Sequence, residues 1–373
     1  MKERFNNLML LARCGLRFVV CGTSKKEVHH PKSVVIVQFG KLGDMVCTTP
    51  MFRAIKKSSP DTRVVVVGDR VGGQVLAGNT DVDRYIVCGQ GIGSALRELA
   101  SEAPEAGITT GPSSRAFSLL YLAGIKTIVA PRVEGGISSE GRMYRLLRAL
   151  AIIVPHRMEH YAPREYLRLL EPLGIKSDNT AKHIAVAPSA WGTIEQFWCK
   201  HGLEGRRVVG MSPSAGNKIK QWPPERFAAV AGHIHAAGAA VLIVAGPGDA
   251  KEVSAMRAAL QVPVVDASGA FSIEELKAAI AKLALFISVD TGPIYIAEAL
   301  NIPTVDIVGP VDEREQPPIG LHHAVVVPPG RAKPELYVMN PYSYNYAEAV
   351  RQVESITVEQ VAAAADALMA PTK

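Results

Sequence analysis

Short runs of β-branched residues, each followed by a glycine-containing turn and a helical stretch, dominate this chain. The run at residues 33–39 precedes a helical stretch at 45–57, and a second run follows at 63–68. Strands that are apolar along their whole length are typical of a parallel sheet with helices on both faces. The N-terminal part of the chain is therefore predicted to contain a βαβ unit.

A second series of the same kind begins near Arg207. Weaker strand candidates at 84–88 and 126–130 extend the first series, and the second has candidates at 207–211, 240–245, 285–289 and 304–308. Strands that alternate with helices indicate parallel sheets. We predict an α/β fold with two Rossmann-like, doubly wound domains that face a central cleft at the carboxyl ends of both sheets.

At 373 residues the chain exceeds the usual size of one domain. We expect an N-terminal arm at residues 1–31, a first domain at 32–205 and a second at 206–340. Residues 341–373 are expected to form a closing helix that packs back towards the first domain.

The arm mixes apolar residues with Lys2, Arg4, Arg13 and Arg17. The arm is interpreted either as a helix that lies on an anionic membrane surface or as a partly ordered extension. The arginines interrupt the apolar run, so neither a transmembrane helix nor a signal peptide is expected.

The net charge of +6 and the pI near 9.0 favour an anionic partner. This partner could be nucleic acid, a membrane surface or a phosphorylated small molecule, and charge alone does not distinguish them. The five cysteines contain no CxxC pair, so neither a disulfide framework nor a zinc site is predicted. A reducing cytoplasm is the expected compartment.

The first informative motif is Gly40-Lys41-Leu42-Gly43-Asp44, between a strand and a helix. A turn there exposes backbone N–H groups and brings Asp44 to the cleft, although an N-cap is an alternative role for this side chain. Neither GxxxxGK[ST] nor GxGxxG is present, so the chain lacks the common nucleotide fingerprints. The hydroxyl of Thr48 is interpreted as a ligand contact or as a bond back to the backbone.

Two further motifs suit a diphosphate. The segment 212–216 combines Ser212, Ser214 and Gly216 with Lys218 and Lys220, although a solvated basic loop is the alternative. The segment 288–293 opens a helix, whose free N–H groups and positive dipole end favour an anion.

Asp81 and Asp83 match a DxD metal motif, but they stand in a polar turn before a strand, where such residues are common. Histidine spacing gives no zinc pattern, so no metal site is predicted.

Between residues 135 and 158 four arginines near helical spacing predict a basic helical face. This face either contacts an acidic saccharide or is simply solvated; it comprises Arg142, Arg145, Arg148 and Arg157.

Taken together, several strings in this order resemble the heptosyltransferase family, glycosyltransferase family 9. They are Leu42-Gly43-Asp44, Thr48-Thr49-Pro50, Lys220-Gln221-Trp222-Pro223 with Glu225-Arg226-Phe227, Ala245-Gly246-Pro247-Gly248-Asp249, and Asp290-Thr291-Gly292-Pro293 with Gly309-Pro310-Val311-Asp312. The resemblance extends over roughly residues 33–369.

The resemblance implies a GT-B fold and an inverting, metal-independent transfer from a nucleoside-diphosphate sugar, often ADP-heptose, onto a lipopolysaccharide core. It implies Asp44 as the base and Lys220 as the group that stabilises the leaving diphosphate. The implied donor-binding residues are Ser212, Ser214, Gly216, Lys218, Asp249, Phe271, Asp290, Thr291, Gly292 and Tyr295. The expected acceptor-binding residues are Gly43, Thr48, Arg142 and Arg145.

The implied partners are the sugar donor and an anionic glycolipid or saccharide acceptor, with no nucleic acid and no cofactor. A cytoplasmic enzyme, peripheral at the inner membrane face, is expected. Three departures from the family pattern leave sugar and acceptor open: Tyr295 stands where many relatives have histidine, residues 107–111 replace a more apolar strand, and the arm is additional. The alternatives are a GT-B epimerase or hydrolase of nucleotide sugars, and a non-catalytic nucleotide-sugar binder.

Overall fold

The computed structural model describes residues 2–135, 140–340 and 343–370. These residues group into two compact units. The first unit contains the described residues up to Lys182 together with 338–340, and the second contains His183–Tyr337 and 343–370.

The first unit is built on a six-stranded parallel sheet with the strand order β3-β2-β1-β4-β5-β6. Its strands are β1 (Ser33–Val37), β2 (Arg63–Gly68), β3 (Arg84–Val87), β4 (Ala106–Thr109), β5 (Thr127–Glu134) and β6 (Ile152–Arg157). Its helices are α1 (Lys2–Cys21), α2 (Leu42–Ser58), α3 (Arg70–Leu76), α4 (Gly93–Glu102), α5 (Ser114–Leu122), α6 (Arg142–Arg148) and α7 (Ala162–Arg168).

The second unit repeats this plan, with the strand order β12-β11-β10-β7-β8-β9. Its strands are β7 (Val208–Ser212), β8 (Ala240–Ile243), β9 (Val265–Asp266), β10 (Leu285–Val289), β11 (Thr304–Ile307) and β12 (His323–Val326). Its helices are α8 (Pro188–Lys200), α9 (Pro224–Ala236), α10 (Ala250–Ala259), α11 (Ile273–Ala281), α12 (Gly292–Ala299), α13 (Tyr346–Ser355) and α14 (Val358–Met369).

Both sheets have the doubly wound Rossmann order, so the predicted α/β fold class is confirmed. In each sheet the first strand of the unit has the second on one side and the fourth on the other, which makes the loops after those strands diverge. This switch point lies between β1 and β4 in the first unit and between β7 and β10 in the second. Ligands of open α/β sheets bind at such points.

The division between the units differs from the predicted boundary at 205/206. Helix α8 belongs to the second unit, where it packs against α11. The predicted boundary lies just before β7, the first strand of the second sheet, and therefore assigns α8, which precedes β7, to the first unit.

The C-terminal region also differs from expectation. Helix α14 packs on α9 and on strand β12, and Val361 and Ala365 belong to the core of the second unit. Trp222 Nε1 donates a 3.0 Å hydrogen bond to the carbonyl of Ile356, which lies between α13 and α14. The described part of this region therefore extends the second unit rather than the first.

Two segments of the first unit fold differently from the prediction. The strand candidates of the first unit do not include residues 107–111, where a more apolar strand is expected in typical relatives, yet β4 forms at Ala106–Thr109 and pairs with β1 through buried residues. The basic helical face predicted between 135 and 158 is wrong, because α6 is a short helix and β6 follows it. Arg148 pairs with Glu140, and Arg157 lies on β6 and pairs with Glu165.

The N-terminal arm is a helix followed by a segment joined to the first unit. Helix α1 packs against α5, and the Ser24 hydroxyl donates a 2.8 Å hydrogen bond to the carbonyl of Ile125. Within the described part of the chain, no helix is both long and apolar enough to cross a bilayer.

Candidate functional site

At the switch point of the second unit, an ion pair joins the loops that follow β7 and β10. Lys220, in a 3-10 turn after β7, places its Nζ 2.6 Å from Asp290 Oδ2 and also donates to the Asp290 carbonyl at 3.1 Å. Asp290 follows β10 directly and is buried, whereas the Lys220 side chain is partly exposed. A cation is therefore held at the edge of the sheet where parallel α/β folds bind anions.

Two more side chains surround Asp290. The hydroxyl of Tyr295, on α12, donates a hydrogen bond to Asp290 Oδ1. Asp306, on β11, is fully buried, and neither of its carboxylate oxygens has a hydrogen-bond partner in the described chain. Burial, with the negative charge of Asp290, raises the pKa of Asp306 well above its usual range. The cluster thus contains Lys220, the Asp290 side chain that pairs with it, and the buried carboxyl group of Asp306, which favours its proton.

Helix α12 begins beside this cluster. Thr291 is its N-cap residue, in an extended conformation, and its side chain makes no capping hydrogen bond within the described chain. The first backbone N–H groups of the helix are not satisfied by that side chain, and the helix dipole adds a positive partial charge there. Gly292 and Thr291 are both partly exposed, so the helix start is suited to an anionic group.

The other predicted donor residues lie along the same edge of the sheet. After β7, Gly216 is exposed, whereas Ser212 and Ser214 are buried, so backbone and lysines rather than the two hydroxyls reach the surface. Lys218 Nζ lies 2.9 Å from Glu252 Oε1 and 3.5 Å from Asp249 Oδ1, which ties the loop after β7 to the start of α10.

Asp249 and Phe271 follow β8 and β9. Asp249 is the N-cap residue of α10, and its Oδ2 accepts a 3.0 Å hydrogen bond from the Gly246 amide. The half-buried ring of Phe271 packs edge-on against Phe197 of α8, with ring centroids 4.9 Å apart. The predicted donor residues thus lie at the end of β7, in the loops after β7, β8, β9 and β10, and on α12, all at one edge of the sheet.

In the first unit, Asp44 lies in the first turn of α2. Its Oδ2 accepts a 2.8 Å hydrogen bond from the Lys41 amide, and its side chain is half-buried. The N-cap residue is Lys41 rather than Asp44, but Asp44 accepts the hydrogen bond of the N-cap amide, so the alternative structural role of this side chain at the helix start is borne out. Gly40 lies so close that a methyl group added to it would be 2.7 Å from Asp44 Cγ. The Lys41 amide and the missing side chain of Gly40 thus help to fix the carboxylate in the turn after β1.

Thr48 does not fit its expected role as an acceptor contact. Its side chain is fully buried, and its hydroxyl donates to the Asp44 carbonyl at 2.7 Å and accepts from Gln38 Nε2 at 3.0 Å. Gln38 Oε1 in turn accepts a 2.7 Å bond from the Gly40 amide. Thr48 and Gln38 hold the turn that carries Asp44, and Gly43 is buried within that turn. Gln38 was not predicted, although a polar residue at the end of an apolar strand is a usable signal.

The predicted arginines are exposed but separate from Asp44 in the sheet order. Arg142 and Arg145 lie on α6, which follows β5, two strands away from β1. A closer cation, which sequence reasoning missed, is Arg115 at the start of α5. Its guanidinium carbon lies 4.6 Å from the centroid of the Phe39 ring, and Phe39 follows β1. Arg115 is thus a basic side chain next to the β1–β4 switch point, in addition to the exposed Lys41.

The two aspartates of the DxD match form ion pairs with helix α2. Asp81 Oδ2 lies 3.4 Å from Arg53 Nε, and Asp83 Oδ2 lies 2.7 Å from Lys56 Nζ. Asp83 also accepts a hydrogen bond from the Val64 amide. These contacts give both carboxylates a structural role. Among the residues that the structure describes, no group of three or more His, Cys, Asp or Glu side chains is arranged to hold a metal ion.

Comparison with known proteins supports the family suggested by the motifs. The model of glycosyltransferase family 9 (heptosyltransferase) matches residues 119–342, more than half of the chain. This match includes Lys220, Asp290 and Tyr295 but begins after Asp44. Over 296 residues the chain is 26% identical to lipopolysaccharide heptosyltransferase 3 of Escherichia coli. The aligned region covers 72% of this chain and 81% of that protein.

Solved structures agree in fold. The family 9 glycosyl transferase of Veillonella parvula superimposes with a TM-score of 0.75 at 23% identity, over 93% of this chain and 99% of that one. The ADP-heptose lps heptosyltransferase II of E. coli gives a TM-score of 0.70 at 18% identity, over 90% of this chain and 98% of that one. The family predicted from the motifs is therefore confirmed: this chain belongs to glycosyltransferase family 9, the heptosyltransferases.

Proposed function

We propose that the protein transfers a heptose from ADP-heptose, with inversion, onto a saccharide of the lipopolysaccharide core. Membership of family 9 supports the transfer of a sugar. Two similar proteins support the finer assignment by their names, a lipopolysaccharide heptosyltransferase and an ADP-heptose lps heptosyltransferase. The observation that carries the proposal is the Lys220–Asp290 pair beside the start of α12.

This pair provides what a departing diphosphate needs. Two hydrogen bonds to Asp290 orient the Lys220 ammonium and leave its third N–H to a ligand. The amides of Thr291 and Gly292 add donors at the positive end of the helix dipole. Groups held in place before the reaction stabilise growing negative charge without reorganising, and this favours the transition state over the bound substrate.

Asp44 is the proposed base of the transfer. As the acceptor oxygen forms its bond to the anomeric carbon, its proton passes to the Asp44 carboxylate, and the bond from that carbon to the diphosphate oxygen breaks. The electron pair of the broken bond leaves with the diphosphate. The hydrogen bond from the Lys41 amide to Oδ2 keeps the side chain in one orientation for this step.

The proposed reaction uses no metal ion and no cofactor. Lys220 and the helix start supply the positive charge that a divalent cation supplies in DxD transferases, and Asp81 and Asp83 are engaged by Arg53 and Lys56. Activity that is unchanged after exhaustive treatment with EDTA is the expected result. Loss of activity that a divalent metal restores would contradict this part of the proposal.

The proposed acceptor is an anionic glycolipid or its saccharide, and the proposed location is the cytoplasm. Arg115, beside Phe39, offers a cation in the unit that carries Asp44, and the exposed Arg142 and Arg145 add positive charge to the same unit. Phosphorylated sugars are bound through such guanidinium groups. The five cysteine thiols lie outside any disulfide bond in the structure, and this supports the proposed reducing compartment.

The test compares wild type with Asp44→Asn in the presence of ADP-heptose and a deacylated core acceptor. We expect the variant to lose transfer by about 10²- to 10⁴-fold, the usual contribution of a general base, and to bind ADP as wild type does in calorimetry. Asp61→Asn, which changes an exposed aspartate, serves as the matched control. Rapid release of ADP without acceptor would instead identify a hydrolase, and interconversion of the donor an epimerase. Full transfer activity of Asp44→Asn would mean that a group other than Asp44 is the base.

A further inference from the structure

Helix α1 is apolar on two opposite faces, and the first unit covers one of them. Leu10, Leu11 and Cys14 pack against the core of that unit. The opposite face, which we call the outer face, falls within an arc of about 120° on an ideal helix. Its large side chains are mostly exposed: Leu8 (65%), Met9 (50%), Leu16 (73%), Val19 (82%) and Val20 (78%).

An uncovered apolar stripe of this kind needs a partner. A helix that is hydrophobic all round is normally buried on every side, and contiguous apolar surface marks an interaction site. The outer face contains no charged residue between positions 8 and 20, because Arg13 and Arg17 lie outside its arc. Such a face differs from the scattered exposed apolar residues of an ordinary surface.

Positive charge lies at one border and at one end of the outer face. Residues 8–27 contain four lysines and arginines and one carboxylate, that of Glu27. Arg13 is exposed at the border of the stripe, and Lys25 and Lys26 are exposed just beyond the helix. The Lys26 amide donates a 3.1 Å hydrogen bond to the carbonyl of Lys126, which brings a third exposed lysine to the same end.

From this arrangement we propose that α1 lies flat on an anionic lipid surface, with the outer face among the acyl chains and the lysines and arginines at the phosphates. Helices at membrane interfaces combine an apolar face with flanking cations in this way. The packing of α1 on α5 fixes this anchor to the unit that contains Asp44. The inference does not rest on the proposed donor, acceptor or base.

Charge argues against a second copy of the chain as the occupant. A twofold interface would place the outer faces of two copies together and would bring their cations into the same region. Residues 8–27 contain four lysines and arginines against the single carboxylate of Glu27, which cannot neutralise them all. An anionic headgroup layer supplies that neutralisation.

The test measures binding of the full chain to vesicles, without nucleotide or acceptor, by co-sedimentation. Wild type is expected to bind vesicles of phosphatidylcholine with 30% phosphatidylglycerol, and to bind pure phosphatidylcholine weakly. The double change Leu16→Glu with Val19→Glu is expected to lower the partition coefficient about tenfold or more, because it removes two inserted side chains and adds negative charge. Lys25→Gln with Lys26→Gln should weaken binding to the anionic vesicles alone.

The matched control is Ile319→Glu with Leu321→Glu, which places the same charges on exposed apolar positions of the second unit. It should bind as wild type does, and thermal unfolding of each variant verifies the fold. Absence of wild-type binding to anionic vesicles, or equal binding by the Leu16/Val19 variant, overturns the proposal. So does a wild-type dimer in light scattering that this variant makes monomeric. Because no sugar is present, the result is independent of the proposed transfer.

Discussion

Lys220 Nζ contacts both the side chain and the backbone of Asp290, at 2.6 Å from Oδ2 and 3.1 Å from the carbonyl oxygen. This double contact joins the loop after β7 to the loop after β10, which flank the switch point of the second sheet. Lys220 therefore pairs with a buried carboxylate, and we propose that it also offers positive charge to a ligand.

Lys220→Met is expected to weaken ADP binding by about 10- to 100-fold, because a hydrogen bond to a charged group contributes roughly 1.5–3 kcal/mol. Calorimetric titration with ADP measures the change. Lys218→Met is the matched control, since the Lys218 side chain is 55% exposed and pairs with Asp249 and Glu252. Its effect should be roughly threefold or less, as for other exposed ion pairs. A larger effect at Lys218 than at Lys220 would move the diphosphate site to the loop between β8 and α10.

The sequence located this site only in part. Lys220, Asp290 and the start of α12 could be predicted, because each follows a β-branched strand whose carboxyl end opens on the edge of the sheet. The contact of the Tyr295 hydroxyl with Asp290 could not be predicted, and neither could the burial of the Asp306 carboxyl without a hydrogen-bond partner in the described part of the chain. These neighbours come from separate elements and meet only after the sheet has formed. The same holds for Arg115, which packs on Phe39 from the start of α5.

Gly40→Ala should displace the Asp44 carboxylate. The added methyl group would lie 2.7 Å from Asp44 Cγ, so the side chain or the turn must move. We expect transfer to fall by at least about 10²-fold, because a misplaced base loses its contribution. The affinity for ADP should stay within about twofold of wild type, because the change is in the first unit and the proposed donor site is in the second.

The control for this change is Gly91→Ala, where an added methyl group has no neighbour within 4 Å. Steady-state transfer rates of both variants, together with ADP titrations, separate the base from the donor site. Normal transfer by Gly40→Ala would mean that the position of Asp44 in this turn does not matter for the reaction.

Asp306→Asn is expected to stabilise the protein increasingly as the pH rises. The folded state holds the Asp306 proton, because burial and the charge of Asp290 raise its pKa, while Lys220 offsets part of this and Glu298 adds to it. The unfolded chain releases this proton above about pH 4. Wild-type stability therefore falls as the pH rises from there through the raised pKa, and asparagine lacks this dependence. Urea unfolding at pH 5 and pH 8 tests the difference, and an equal loss of stability at both values would indicate an ionised, paired Asp306.

The fold could be predicted where local pattern and tertiary environment agree. β1, β2, β7 and β10 are short apolar runs, and each forms a buried strand. β6 was not predicted, because Pro155, His156 and Arg157 lack the continuous apolar pattern of a central strand. The arginines that precede them in the sequence have a spacing close to that of a helix. β4 was missed because its sequence, AGIT, is too short to carry a pattern. Its place between β1 and β5 fixes its conformation through long-range pairing.

His156 should make the first unit sensitive to acid. Its ring is buried on β6, 6.0 Å from the ring of Tyr166, and burial lowers its pKa from 6.5 to about 4, although Glu165 opposes the shift. The folded state thus holds a neutral ring, while the unfolded chain takes up a proton below about pH 6.5. The stability is present above that pH and is lost as the pH falls from about 6.5 towards 4.

Between pH 7 and pH 5 this difference corresponds to about 2 kcal/mol of unfolding free energy. His156→Phe removes the titrating group and keeps a ring of similar size, so its stability should fall less steeply over that range than that of wild type. Urea unfolding monitored at several pH values measures both slopes. His322→Phe, at an exposed histidine, should retain the wild-type slope. Parallel slopes for wild type and His156→Phe would mean that the buried ring is already protonated in the folded state, held by Glu165 rather than kept neutral by its surroundings.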